Sequence, residues 1–354
     1  MSEPSEAMPV APWIAAQTRT LIRQRGHAWL LQGPSGLGHY ALALSLAGAW
    51  LCEAPGVDGA CGHCPSCHSI AVRTHADLRV LMPETHLLEL GWPLGEKAQQ
   101  EIDDKARKPS REIRVDAVRE AVEFCQRTNA RNRGKVVLVF PAEDMNRITA
   151  NALLKTLEEP PGDTRFVLAS QAAHRLLPTV RSRCMVHTLV WPDAQESAAW
   201  LEVHGVPASQ AAGLLRASGG RPDVAVQMAQ AGQDAAVWAR FPRAMAAGDA
   251  LFVKDWSAAQ LVDALQKLCH DLCAQAVGAP PRFFAPGDLP AAAPAVGLRG
   301  LGAWERELRQ TRQVVDHPWN AGLMTEALVG AAKMALRAAG PGSAQRAPGA
   351  QLTR

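Results

Sequence analysis

Three groups of residues in this chain have the types and spacing that chemistry requires. The first is Cys61, Cys64 and Cys67, spaced C-x2-C-x2-C, with Cys52 preceding them across the turn Pro55-Gly56-Val57-Asp58-Gly59. Four thiolates in so short a span suit the tetrahedral coordination of Zn2+, and a full shell leaves no open position for catalysis, so Cys52, Cys61, Cys64 and Cys67 are expected to hold a structural zinc ion. A reduced, metal-free knuckle, a shell in which His63 or His68 replaces one Cys, and an iron–sulfur cluster are the alternatives.

The second group is Gly33-Pro34-Ser35-Gly36-Leu37-Gly38-His39-Tyr40, which has the G-x-x-x-x-G spacing of a phosphate-binding loop. In a working loop of this kind the backbone amides cradle phosphates, a Lys neutralises them and a Ser or Thr hydroxyl ligates Mg2+. Here the Lys position is His39 and the hydroxyl position is Tyr40. The loop residues alone fit a plain glycine turn as well as a nucleotide site. An acid at the end of a second central strand would support the nucleotide reading. The apolar run Val136 to Phe140 ends instead in Phe140-Pro141, with Glu143 and Asp144 arriving later. Those acids suit the N-terminus of the following helix, and a shift of register bringing Asp144 into play is the alternative.

The third group is Arg181-Ser182-Arg183-Cys184, before the last expected strand. An arginine fixed there could reach a neighbouring subunit and stabilise charge on a transferring phosphoryl group, and without family context it is a surface arginine. Between Lys105 and Lys135 there are ten Lys or Arg against four acids. A solvated face is the default reading of that segment over DNA binding.

The elements that must position these groups alternate strand and helix. A helix from Ile14 to Gly26 precedes a buried strand at Ala28 to Gln32, and the glycine loop then feeds a helix reaching Leu51. Strands follow at Leu78 to Leu81, Val136 to Phe140, Phe166 to Ala169 and Met185 to Val190, with helices at Asp116 to Gln126 and Asn146 to Glu159 between them. This order predicts an α/β domain with a largely parallel sheet over residues 1–190. Glu84 to Ser110 is polar and rich in Gly and Pro, and is expected to be an exposed, partly mobile insertion. From Trp191 the chain becomes Ala- and Leu-rich with helical periods, including Ala258 to Val277 with a seam of Leu261, Leu265, Leu268 and Leu272. Ala279 to Gly300 is expected to be a long loop, and Arg337 to Arg354 a low-complexity, disordered tail. Cys269 and Cys273, beside the leucine seam, are expected in the core.

Composition bounds the rest. The 354 residues are 47% hydrophobic and 20% charged with a net charge of +3, which suits a globular protein with a substantial core and is too mild to indicate a nucleic-acid partner. The longest apolar stretch, Ala41 to Leu51, is about half of what a membrane span needs. No signal peptide is expected, the location is expected to be cytoplasmic, and the cysteines are then thiols or metal ligands.

Taken in order, these residues resemble the delta-prime subunits of the bacterial DNA polymerase III clamp loader, within the AAA+ superfamily. The resemblance is carried by His27-Ala28-Trp29-Leu30-Leu31-Gln32-Gly33, the four-Cys module, Thr149 through Pro161 (TANALLKTLEEPP), Phe166 through Ser170, and Leu177 through Cys184. It is dense over residues 27–190 and thin beyond, with a late echo at His317-Pro318-Trp319-Asn320. The same motifs occur in the tau/gamma motor subunits, and His39, Tyr40 and Phe140-Pro141 favour delta-prime over the motor. The resemblance implies a RecA-like AAA+ core (1–190) with the zinc module at 52–67, a small helical lid (191–235), a helical collar (236–338) and a tail (339–354). It implies a degenerate nucleotide site at Gly33, Gly36, Gly38, His39, Tyr40 and Ser170, the last at the sensor-1 position, binding ATP weakly or not at all. Pro222, beside Arg221, stands where a lid arginine would sense nucleotide. It gives Arg183 the role of an arginine finger acting in trans. The implied partners are tau/gamma and delta subunits, the sliding clamp and primed DNA, with no membrane. The alternatives are an active tau/gamma-like ATPase, in which His39 and a displaced Asp144 take over the missing roles, and an isolated zinc-containing DNA-binding module.

Overall fold

The computed structural model describes residues 10–290, 297–315, 317 and 320–336. The chain divides into two compact units, Met1–Glu196 and Ser197–Arg354.

In the first unit, helix α1 (Pro12–Ile22) leads into strand β1 (Ala28–Gln32), whose Ala-Trp-Leu-Leu run is buried along its length. The glycine loop follows, then α2 (His39–Leu51) and the short α3 (Pro65–Ala71). Strand β2 (Leu78–Leu81), helices α4 (Glu84–Glu89), α5 (Glu96–Asp103) and α6 (Val115–Gln126), and strand β3 (Lys135–Val139) come next. Helix α7 (Arg147–Glu158), strand β4 (Thr164–Ser170), α8 (Pro178–Arg181) and strand β5 (Met185–Thr188) complete the unit. All five strands are parallel, in the order β2-β3-β4-β1-β5. The expected α/β unit with a parallel sheet is therefore present. Strand β3 is buried at every residue, as a strand covered on both faces must be.

Because the strands are parallel, their C-terminal ends share one edge, and the glycine loop, Phe140 and Ser170 lie at that edge. Helix α7 is held in place by Asn146, whose side chain caps it by accepting from Thr149 N at 3.0 Å, and by buried Ala150, Leu153 and Leu157.

The insertion Glu84 to Ser110 differs from its expectation: it is ordered around one buried carboxylate. Glu84 accepts from Arg107 Nη2 at 2.8 Å and from Ser110 N at 2.8 Å, while Arg107 Nε donates to Glu101 at 2.6 Å. Most of the segment's other charges are exposed, as expected, and the polar sequence hid this one pairing among them.

In the second unit, α9 (Ala194–Val203), α10 (Ala208–Ala217), α11 (Pro222–Gln230), α12 (Ala235–Ala247), α13 (Ala258–Ala276), α14 (Gly297–Val314) and α15 (Ala321–Ala335) follow, with no strand among the described residues. One apolar core extends from Leu201 to Leu336 and includes the seam Leu261, Leu265, Leu268 and Leu272, with Cys269 buried and Cys273 packed against it. The expected long loop is present over 279–290 and is anchored to the core. Phe284 is fully buried against Trp238 at 4.8 Å between ring centroids, and Asp271 accepts from the backbone amides of Arg282, Phe283 and Phe284 at 2.9, 2.8 and 2.8 Å. Helix α14 then starts at Gly297, inside the expected loop. Asp316, Pro318, Trp319 and the expected tail 339–354 lie outside the described residues. No helix among the described residues is long and apolar enough to cross a membrane.

Candidate functional site

The glycine loop turns sharply between β1 and α2, with Gly36 at φ 79° and Gly38 at φ 85°, a left-handed conformation that a side chain would strain. Gly38 is the N-cap of α2, so the first residues of the helix, His39 and Tyr40, point their side chains into the space around the loop. His39 is 2% exposed, and its Nε2 lies 3.4 Å from where a Cβ on Gly33 would stand. Neither ring nitrogen has a hydrogen-bond partner among the described residues. Burial holds the His39 pKa down to about 4, against the opposing pull of Glu143, so the ring is neutral at pH 7.

Tyr40 closes the other half of the site. Its ring packs on Phe140 with centroids 5.7 Å apart, and its hydroxyl accepts from Trp92 Nε1 at 2.7 Å. Trp92 lies between α4 and α5, so the insertion reaches 52 positions along the chain to cover this corner. The Arg73 guanidinium stacks 5.8 Å over the Trp92 ring. Burial raises the Tyr40 pKa, keeping its hydroxyl protonated at neutral pH. Ser170, at the end of β4, is fully buried and accepts from Ala172 N at 3.2 Å. Glu143, in the turn after β3, accepts from Gln171 N at 3.0 Å. The acid that reaches His39 electrostatically is therefore Glu143, with Asp144 beside it; burial, followed by the charge of Glu143, raises the Asp144 pKa.

The four cysteines converge. Cys52–Cys64, Cys61–Cys67 and Cys52–Cys67 sulfurs lie 3.8, 3.9 and 3.7 Å apart, and all four fall within 4.8 Å of one another. A tetrahedron with Zn–S bonds of about 2.3 Å has edges of about 3.8 Å, so the donor set fits a four-coordinate metal ion. Cys61 N donates to Cys52 Sγ at 3.3 Å and Cys67 N to Cys64 Sγ at 3.4 Å, bonds that favour thiolates. His63 is exposed and its Nδ1 lies 2.9 Å from the Cys61 carbonyl, so the cluster is built from cysteine alone.

Arg183 follows α8. Its Nη2 and Nε both lie on Glu158 Oε2, at 2.9 and 3.0 Å, and its Nη1 donates to Thr179 O at 3.0 Å. The side chain is about one-third exposed, a guanidinium held at the surface by a carboxylate from the end of α7.

A family model described as "DNA polymerase III, delta subunit" matches residues 16–192, half of the chain and all of the site residues of the first unit. This chain belongs to that family. The delta-prime subunit of Pseudomonas aeruginosa is 42% identical over 217 residues, covering 60% of this chain and 59% of the relative. The Escherichia coli delta-prime subunit is 37% identical over 226 residues, covering 62% and 60%, so the alignments span about 60% of these relatives' own length. A tau subunit of Escherichia coli is 31% identical over 170 residues, 48% of this chain and 22% of that protein. A solved DNA polymerase III gamma subunit-related protein of Thermotoga maritima superposes with a TM-score of 0.43 at 16% identity, covering 91% of this chain and 99% of that one.

Within this delta-subunit family member, the structure gathers Gly33, Gly36, Gly38, His39, Tyr40 and Ser170 at one sheet edge, and Cys52, Cys61, Cys64 and Cys67 at another place. Arg221 caps α11 in the second unit, its Nε donating to Ser218 O at 2.6 Å, with Pro222 buried as the first helical residue. Sequence reasoning missed Trp92 and Glu158, and read Glu143 as a helix N-terminal acid. Trp92 had one signal, a lone tryptophan between Gly91 and Pro93 in a polar insertion; Glu158 had none, since acids are common at helix ends.

Proposed function

We propose that this chain is a delta-prime subunit of the DNA polymerase III clamp loader that does not hydrolyse ATP in its own site and lends Arg183 to the ATP site of a neighbouring subunit. The observation that carries the reading is the Tyr40–Phe140–Trp92 cluster. It stands where a hydroxyl and an acid would hold Mg2+, and it offers neither a ligand oxygen with a free approach nor a negative charge. His39 supplies no cation at pH 7 and fills the space beside Gly33. These residues do not fit a triphosphate with its metal ion. The active-ATPase alternative required Asp144 at the loop, and Glu143 is the acid that faces it.

Arg183 supports the second half of the reading. It is on the surface, preceding edge strand β5, where Met185 and Val186 are 42% and 51% exposed. A neighbour seated there would meet a guanidinium already oriented by Glu158 and Thr179. Phosphate oxygens developing charge compete well with a solvated carboxylate for that fork, and an arginine finger contributes about 10³ to 10⁵ in rate. The helical region 191–235 then serves as the lid and 236–338 as the collar that joins the ring. Tau/gamma and delta subunits, the sliding clamp and primed DNA are the partners. Cys52, Cys61, Cys64 and Cys67 hold a structural Zn2+ whose contribution is to stability.

Two measurements test this reading. The purified chain with ATP and Mg2+ is expected to release no phosphate. Mixed with tau/gamma and delta subunits, it is expected to enter one complex, seen by native mass measurement. Steady phosphate release by the chain alone, abolished by His39→Ala, would overturn it.

A further inference from the structure

Near the N-terminal ends of β3 and β4, opposite the glycine loop, lies a cavity of about 430 Å3. Arg23 after α1, Arg133 before β3 and Arg165 in β4 line it, over a floor that includes Ile22, Trp50 and Val57. No acidic residue lines it. The acids nearby are engaged elsewhere: Asp58 pairs with Arg19 at 3.1 Å and Glu53 pairs with Arg131. Asp163 alone acts on Arg165, and no ion pair involves Arg23 or Arg133 among the described residues.

The backbone sets Arg133 beside Arg165. Asp77 is buried and accepts from Ala130 N at 2.8 Å and Arg131 N at 3.0 Å, which fixes the loop before β3. Gly134 then crosses the 161–163 turn so closely that a Cβ there would come within 2.3 Å of Asp163 O. Burial disfavours the charge on Arg165; Asp163 offsets part of this, and Arg133 adds a smaller opposing effect. Two exposed arginines and one half-buried arginine along a concave surface attract an anion.

The aromatic component selects the kind of anion. The Arg165 guanidinium lies 5.3 Å over the half-buried Trp50 ring, a flat cation–indole layer at the cavity wall. Such a layer beside several guanidiniums matches a chain of phosphates carrying stackable bases, whereas an acidic peptide would use only the charges.

We propose that this cavity binds single-stranded nucleic acid, with Arg23, Arg133 and Arg165 on phosphates and Trp50 stacking a base. The surface lies at the far end of the sheet from the glycine loop, and the proposal stands whether or not Arg183 acts in trans, because binding is measured on the chain alone. The test is fluorescence anisotropy of a labelled oligothymidylate with the full chain across a salt series. Arg23 and Arg133 are exposed, so Arg23→Glu/Arg133→Glu is expected to fold normally. It should weaken binding at least about tenfold at low salt, and lower the slope of log K against log salt by about 1.4, the amount for two lost contacts to a single strand. Arg240→Glu/Arg243→Glu, an equal charge change in the second unit, should leave both unchanged. Equal weakening by the two double variants, no binding by the wild type, or preferential binding of an acidic peptide such as oligoglutamate would each overturn the proposal.

Discussion

At the scale of single residues, His39 and Tyr40 show how two side chains at the end of a glycine loop decide what the loop can hold. A neutral imidazole shut beside Gly33 contributes packing, and its burial has a measurable consequence. The folded-state pKa of about 4 lies below the ordinary value of 6.5, so the unfolded chain takes up a proton that the folded one refuses. The associated stability is complete above pH 6.5 and is lost as the pH falls toward 4, amounting to about 2 kcal/mol between pH 7.5 and pH 5. Urea unfolding of wild type and His39→Leu at those two pH values should show a loss smaller by about 2 kcal/mol in the variant; equal pH dependence in both would contradict the account. The cysteine cluster allows a second residue-scale prediction. Protein prepared without chelator should carry about one zinc per chain, and Cys64→Ser should lose the metal and unfold at a lower temperature, because a structural metal ion contributes directly to folding. Full metal content in that variant would remove Cys64 from the ligand set.

At the scale of elements, the segment from α4 to the start of α6 is the part that sequence patterns describe least well. Its order depends on Glu84 reaching Arg107 and Ser110, and on Trp92 reaching Tyr40, contacts between positions tens of residues apart. Periodicity reports neighbours along a helix or strand and is blind to such pairs. The same blindness hid Phe284, an aromatic anchor inside a Pro/Ala-rich segment, and the burial of Lys135 in what reads as a basic turn. By contrast β1, β3, α7 with its Asn146 cap, and the leucine seam of α13 were legible, because each carries its signal within a few residues. Burial alone would raise the Glu84 pKa, yet the Arg107 guanidinium and the Ser110 amide bring it below the usual range. Removing Arg107 therefore leaves a buried carboxylate without its partner. Arg107→Ala should cost about 3 kcal/mol and make the 84–110 segment the first site of limited proteolysis, whereas Glu101→Ala, on the more exposed side of the same arginine, should cost far less. Equal protease resistance of Arg107→Ala and wild type would show that the insertion is held by other contacts.

At the scale of the whole molecule, the glycines, the four cysteines and Ser-Arg-Cys lie within the unit matched by the delta-subunit family model, and the motifs did not show which side chains close around them. That the loop is closed by its own side chains, and that Arg183 rests on Glu158, required coordinates, since both facts depend on which side chains meet across the fold. Together they support the proposal of a subunit without phosphoryl chemistry of its own whose Arg183 serves a neighbour's site. The most direct test combines the Arg183→Ala chain with wild-type tau/gamma and delta subunits and follows ATP hydrolysis stimulated by the clamp and primed DNA. Assembly should be unchanged by mass and hydrolysis should fall, by about 10³ at the adjoining site, while Glu158→Ala, which frees the arginine, should retain it. Undiminished turnover in a fully assembled Arg183→Ala complex would contradict the account.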